Sequence, residues 1–140
     1  NMGDKDLNRD WGPFTQPETQ LMQDELARFS ADETLSLFID FHSTRRNVLY
    51  TQAEGDETKP NGFTKSWVER VKKRVSNYAF ERAERPLTPL PTSKNYVYST
   101  FGVPAITYEV GDETDREALK AAAIVFAEEM MEVLLHAEQN

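Results

Sequence analysis

Two apolar runs constrain this chain more than anything else in it. Residues 35–41 read LSLFIDF and residues 103–110 read VPAITYEV. Each is almost continuously apolar, and each is too short for an ordinary helix. Strands that read this way are covered on both faces, as in a parallel sheet between helices.

Helical patterns surround the two runs. Thr15 with Glu18 three residues later forms a capping box. Pro17 suits a first turn, and Leu21, Met22, Glu25, Leu26 and Phe29 fall on one side, which predicts a helix over 16–29. Trp67, Val68, Val71, Val75 and Tyr78 predict a second helix over 64–80. Thr114 and Glu117 repeat the capping box and open a long helix to about residue 137. Its inner face is Leu119, Ala122, Ala123, Phe126, Met130, Val133 and Leu134. Residues 47–52 form a second extended piece, and 51–62 and the proline-rich 85–93 read as loops. Residues 95–100 fit a strand or a helix. The alternation predicts one α/β domain over residues 1–140, with a mainly parallel mixed sheet flanked by helices.

Composition removes several function classes. The chain has no cysteine, so disulfides and thiolate metal sites are excluded. A net charge of −8 without a basic stripe argues against nucleic acid and anionic lipid. Arg70, Lys72, Lys73 and Arg74 share a predicted helix and read as a solvated face. No apolar run approaches the ~18 residues of a membrane span, so membrane insertion is not expected. No signal peptide is visible. Met2 follows Asn1, which reads as a cut that removes evidence of localisation.

In open α/β sheets, sites form beyond the carboxyl ends of the strands. The first apolar run leads into His42, and the second reaches Glu109. If the strands are parallel, both groups emerge on one edge. Asp40 lies two residues before His42, so both point to the same strand face. A carboxylate inside an apolar strand is costly unless paired; it either orients the histidine or caps a neighbouring loop. His42 and Glu109 each have a structural reading as well, a satisfied strand-end histidine and a solvated edge carboxylate. His136 complements the dipole of the last helix.

Four segments, in order, resemble the C-terminal half of the M14-type zinc carboxypeptidases. They are Asp6-Leu7-Asn8-Arg9 with Gly12-Pro13-Phe14 and Gln16-Pro17-Glu18-Thr19, Phe38-Ile39-Asp40-Phe41-His42-Ser43, Gly102 to Glu109, and the helix after Thr114. The resemblance implies that His42 is a ligand of one Zn2+. It implies that Glu109 is the general base and acid, taking a proton from the attacking water and passing it to the leaving amine. Asn8 and Arg9 would bind the free carboxylate of a peptide or acylated amino-acid substrate, for which the planar guanidinium fork is suited. Asp6 would support another of the metal's histidines from behind, as Asp40, by its position on the strand, would support His42. The resemblance also suggests a secreted or periplasmic location.

The chain departs from that pattern in two ways. No His-x-x-Glu segment occurs in it, so two expected zinc ligands are missing, and one histidine cannot make a tight site. The resemblance then implies the back part of a longer catalytic domain, inactive alone and weak in zinc. Residues 85–91 lack the family's mobile tyrosine; Tyr96 and Tyr98 are the nearest substitutes. Arg45 and Arg46 follow His42 and either favour an acidic side chain or face solvent. Two further readings stay open. One is a non-catalytic module for carboxylate-ended peptides, and the other is an acyl-amino-acid amidohydrolase of the same superfamily. A half-sheet would also expose an apolar edge that invites self-association.

Overall fold

The computed structural model describes residues 3–32 and 35–137. A short 3-10 turn, Leu7–Arg9, precedes α1 (Pro17–Ala31), β1 (Phe38–Thr44), β2 (Val48–Thr51), α2 (Phe63–Arg74), β3 (Glu81–Glu84), α3 (Ser93–Phe101), β4 (Ala105–Gly111) and α4 (Arg116–Ala137). The strands form one mixed sheet in the order β1-β4-β2-β3. β1 runs parallel to β4, and β2 parallel to β3, while β2 and β4 pair antiparallel. The α/β architecture with a mostly parallel sheet flanked by helices is therefore present.

Strand alternation divides the core between the two faces. Ile106 and Tyr108 of β4 face α2 and α4, joining Leu49, Phe63, Trp67, Val71 and Phe126. Ala105 faces the other way, with Trp11, Leu26 of α1, and Val97 of α3. Phe126 is the hub of the first core. Its ring lies 5.5 Å from Trp67, 5.0 Å from Phe80 and 5.3 Å from Tyr108. Behind it, the Tyr78 and Tyr108 hydroxyls share a hydrogen bond of 2.6 Å, and burial raises both phenol pKa values, Tyr108 the more. Glycine shapes the entry to β4. Gly102 ends α3 at φ +69°, a left-handed position.

Several sequence expectations are corrected. Neither capping box forms. Asp10 takes the place of Thr15, accepting from the Thr15 and Gln16 backbone N–H groups at 3.1 and 2.9 Å. Asp115 accepts from Ala118 N at 2.8 Å, while the Thr114 hydroxyl is engaged by Asn47 Oδ1 at 3.0 Å. α2 stops at Arg74 rather than residue 80. Val75 is extended, and the chain reverses to lay β3 beside β2. Val75 and Tyr78 still reach the core, but not as helix residues. Residues 95–100 are helical, and Ala123 of α4 is exposed.

β1 is an edge strand, only partly covered, with Phe41 68% exposed. The apolar stripe of α1 is likewise open, with Leu21, Met22 and Phe29 exposed and only Leu26 of that set buried. The basic cluster on α2 is not wholly a solvated face. Arg70 and Arg74 both hold the buried Glu129 of α4, and Arg74 also holds Glu128. Among the described residues, no helix is long and apolar enough to cross a membrane.

Candidate functional site

The register of β1 and β4 sets His42 directly opposite Glu109 on adjacent parallel strands. Phe38, Asp40 and His42 alternate onto the face shared with Ala105, Thr107 and Glu109, the side on which α3 packs. Both groups carry a buried polar atom without a hydrogen-bond partner among the described residues, His42 Nε2 and Glu109 Oε2. Such atoms are rare in native interiors and call for an explanation.

Asp40 lies against His42. Its Oδ2 is 2.9 Å from Nε2, close enough for ion pairing, although the two are not aligned for a hydrogen bond. The His42 side chain remains 30% exposed. Nε2 itself is buried, so the exposed part of the ring lies away from it. Asp40 Oδ2 also accepts the Ser93 hydroxyl at 2.5 Å. Serine here donates to the carboxylate, not to the imidazole, so the histidine is not its base. The three residues are not a nucleophilic triad, which needs the base on the hydroxyl.

The 3-10 turn brings Asn8 to the same place. Asn8 Oδ1 accepts from Ser93 N at 2.8 Å. Arg9, beside it, is about half exposed; its guanidinium reaches the Asn8 carbonyl at 2.7 Å and Asp6 only at 4.0 Å. Asp6 accepts from Asn8 N at 2.9 Å and caps the turn. The turn is anchored from beneath by Asp10, which is fully buried. Burial alone would raise the Asp10 pKa, but hydrogen bonds from Lys5, Thr19 and Thr15 outweigh it and hold the carboxyl well below the usual range. Gly12, at φ +120°, lets the chain turn back toward Asp10.

The other candidates sit apart. Arg45 borders a different groove, with Ala79, Phe80 and Glu113. Arg46 meets Glu81 at 3.3 Å in an exposed pair. Tyr96 belongs to an aromatic cluster with Trp11, Phe14 and Phe101. Tyr98, two residues on, takes another flank of α3, where burial and then Asp56 and Glu57 raise its pKa. His136 contacts the Glu132 carbonyl at 2.6 Å and is exposed.

Two buried residues at the start of α3 escaped the sequence reading. Ser93 ties Asn8 to Asp40. Lys94 is buried without an ion-pair partner among the described residues, and desolvation holds its ammonium below the usual lysine range. A Thr-Ser start before a short helix is a visible N-cap signal, and Thr92 does accept from Asn95 N. Nothing local marks the next two side chains as buried.

His42 and Glu109 suit a metal-assisted site, one as an imidazole ligand and the other as a base. Among the described residues, no three His, Cys, Asp or Glu side chains converge to hold a metal ion.

Similarity to known proteins lies in the fold. No family model matches the sequence, and no curated protein sequence does. A metallo-carboxypeptidase from Burkholderia cenocepacia superposes with a TM-score of 0.64 at 15% identity, over 96% of this chain and 38% of that one. A metallo-carboxypeptidase from Pseudomonas aeruginosa, in complex with (2-guanidinoethylmercapto)succinic acid, superposes with a TM-score of 0.61 at 18% identity, over 95% and 40%. The chain spans about two fifths of the length of these structures. It has a carboxypeptidase-like fold over that part.

Proposed function

We propose that this chain is the base-bearing, carboxylate-reading part of a zinc metallo-carboxypeptidase of the M14 type. One observation carries the reading: His42 and Glu109 stand in register on neighbouring parallel strands, and Glu109 Oε2 is buried without a hydrogen-bond partner among the described residues. A zinc ion, when bound, would polarise the scissile carbonyl and acidify water. His42 would hold it through Nδ1, with the remaining ligands supplied from outside the described residues. Glu109 would take the proton of the attacking water and return it to the leaving amine. Asn8 and Arg9 would grip the substrate's terminal carboxylate, and Asp6 would steady their turn. The succinic-acid derivative bound by the Pseudomonas aeruginosa neighbour is a carboxylate ligand of the kind this reading expects.

A second reading keeps the carboxylate grip without the chemistry, because no three-ligand cluster exists among the described residues. The chain would then be a binding module for carboxylate-ended peptides. An amidohydrolase acting on acylated amino acids would use the same residues. We also propose that the open β1 edge drives self-association.

The test uses the full-length protein and follows release of the terminal residue from blocked dipeptides at saturating zinc. Glu109→Gln should lower kcat by about 10²–10⁴-fold while zinc stays bound, the range expected for a lost general base. A near-normal rate in that variant removes Glu109 from the mechanism. If the wild type binds free-carboxylate peptides over their amides but never turns them over, the binding-module reading replaces the enzyme.

A further inference from the structure

Ser93 is fully buried, and its two polar groups reach in different directions. Its backbone N–H donates to Asn8 Oδ1 at 2.8 Å, and its hydroxyl donates to Asp40 Oδ2 at 2.5 Å. The same Oδ2 lies 2.9 Å from His42 Nε2. One residue at the start of α3 thus joins the 3-10 turn to the edge strand.

The edge strand needs that help. Among the described residues, β1 has a neighbour on one side only, β4. The Asp40 side chain keeps 26% exposure and would otherwise be free to turn its carboxylate to water. A histidine ring has a broad second torsion, so nothing intrinsic decides which nitrogen faces which way. A carboxylate fixed beside one nitrogen does decide it, because the proton is favoured on the nitrogen nearest the negative charge.

We propose that Ser93 is a positioning residue: its hydroxyl pins Asp40 against His42 Nε2, so that the ring carries its proton there and presents the Nδ1 lone pair outward. The use of Nδ1 for a metal rests on the function proposed above; the holding of the ring does not. The Asn8–Ser93 bond gives the arrangement a second consequence. The residue that reads the substrate carboxylate and the residue that orients the imidazole share one anchor.

The experiment uses the full chain with ¹⁵N-labelled histidine. Two-bond ¹H–¹⁵N correlations of the rings are recorded at about pH 8.5, above the ordinary histidine range. In the wild type and in Ser93→Thr, His42 should show a single tautomer protonated at Nε2. In Ser93→Ala the two ring nitrogens should move toward an averaged pattern, with the His136 signals unchanged as an internal control. Asp40→Asn should produce the same averaging and covers the case in which Ser93→Ala fails to fold. An unaltered His42 pattern in the folded variants, or a wild-type ring protonated at Nδ1, overturns the proposal.

Zinc titration of the same samples separates this proposal from the functional one. Zinc should shift the wild-type His42 signals, and Ser93→Ala should need on the order of tenfold more zinc, the lower end of the effect of losing an orienting partner. A locked tautomer with His42 signals indifferent to zinc supports the positioning role and overturns the metal reading. Zinc binding with a tautomer indifferent to Ser93 does the reverse.

Discussion

Asp10 illustrates how much one buried carboxylate organises. It accepts from Lys5 Nζ, from the Thr15 N–H and hydroxyl, from Gln16 N and from Thr19 Oγ1. Its folded pKa is depressed below the ~3.9 of a free aspartate. The stabilisation is therefore complete above the unfolded value and is lost as pH falls. Urea titrations of the wild type should show stability dropping from about pH 5 downward. Asp10→Asn should be less stable at pH 7 and show a flatter acid limb; an unchanged limb would mean that other carboxylates set the acid response. Arg9 makes the opposite case, since little holds it in place. A guanidinium free to meet a carboxylate gains about 1.5 kcal/mol or more, roughly tenfold in affinity. In the full-length protein, Arg9→Ala should raise KM for carboxylate-ended substrates by about that factor and leave their amides nearly untouched. Equal losses on both substrates would take Arg9 out of the site.

At the scale of elements, α2 and α4 form the cover on one face of the sheet, and two kinds of contact join them. The apolar contact centres on Phe126, whose carbonyl also accepts the Trp67 indole N–H at 2.9 Å. Phe126→Ala leaves a cavity among four aromatic rings and should cost about 3–5 kcal/mol, read as a lowered denaturation midpoint with the slope retained. The polar contact is Glu129, buried between Arg74 and Arg70. Arg74 first, and then Arg70, hold its carboxyl below the ordinary range even though burial pulls upward. Removing Glu129 leaves two arginines without their shared acid, so Glu129→Ala should destabilise clearly more than Glu128→Ala, whose carboxylate is about half exposed. Equal effects would show that the helices are held by packing alone.

The whole molecule is lopsided. The interior strands β4 and β2 are buried, while β1 presents an open edge carrying Phe41, and α1 presents Leu21, Met22 and Phe29. An apolar edge strand is a template for pairing. Sedimentation velocity should show concentration-dependent association of the wild type, shifted toward monomer in Phe41→Lys, which places a charge on that edge. The same distribution in both would move the contact elsewhere. The exposed surface also bears on the site, because His42 lies on this strand and beside this edge.

The chain's local pattern determined its α/β class, the existence of β1, β4, α2 and α4, and the emergence of His42 and Glu109 near strand ends. Apolar runs of strand length and stripes of helical period are written in neighbouring residues, so they survive without any knowledge of the fold. Asp40 was legible as a residue needing a partner, for the same local reason. Four things came only from tertiary structure. β3, sequence ERAE, has no strand pattern and exists through its pairing with β2. The antiparallel placing of β2 against β4 depends on a crossing that no local signal records. Asp10 replaces Thr15 as the cap because the Gly12 turn carries it back across the start of α1. Ser93 meets Asp40 across 53 residues of chain. A hydrogen-bond partner that distant has no signature in either segment; only the folded sheet brings donor and acceptor within reach.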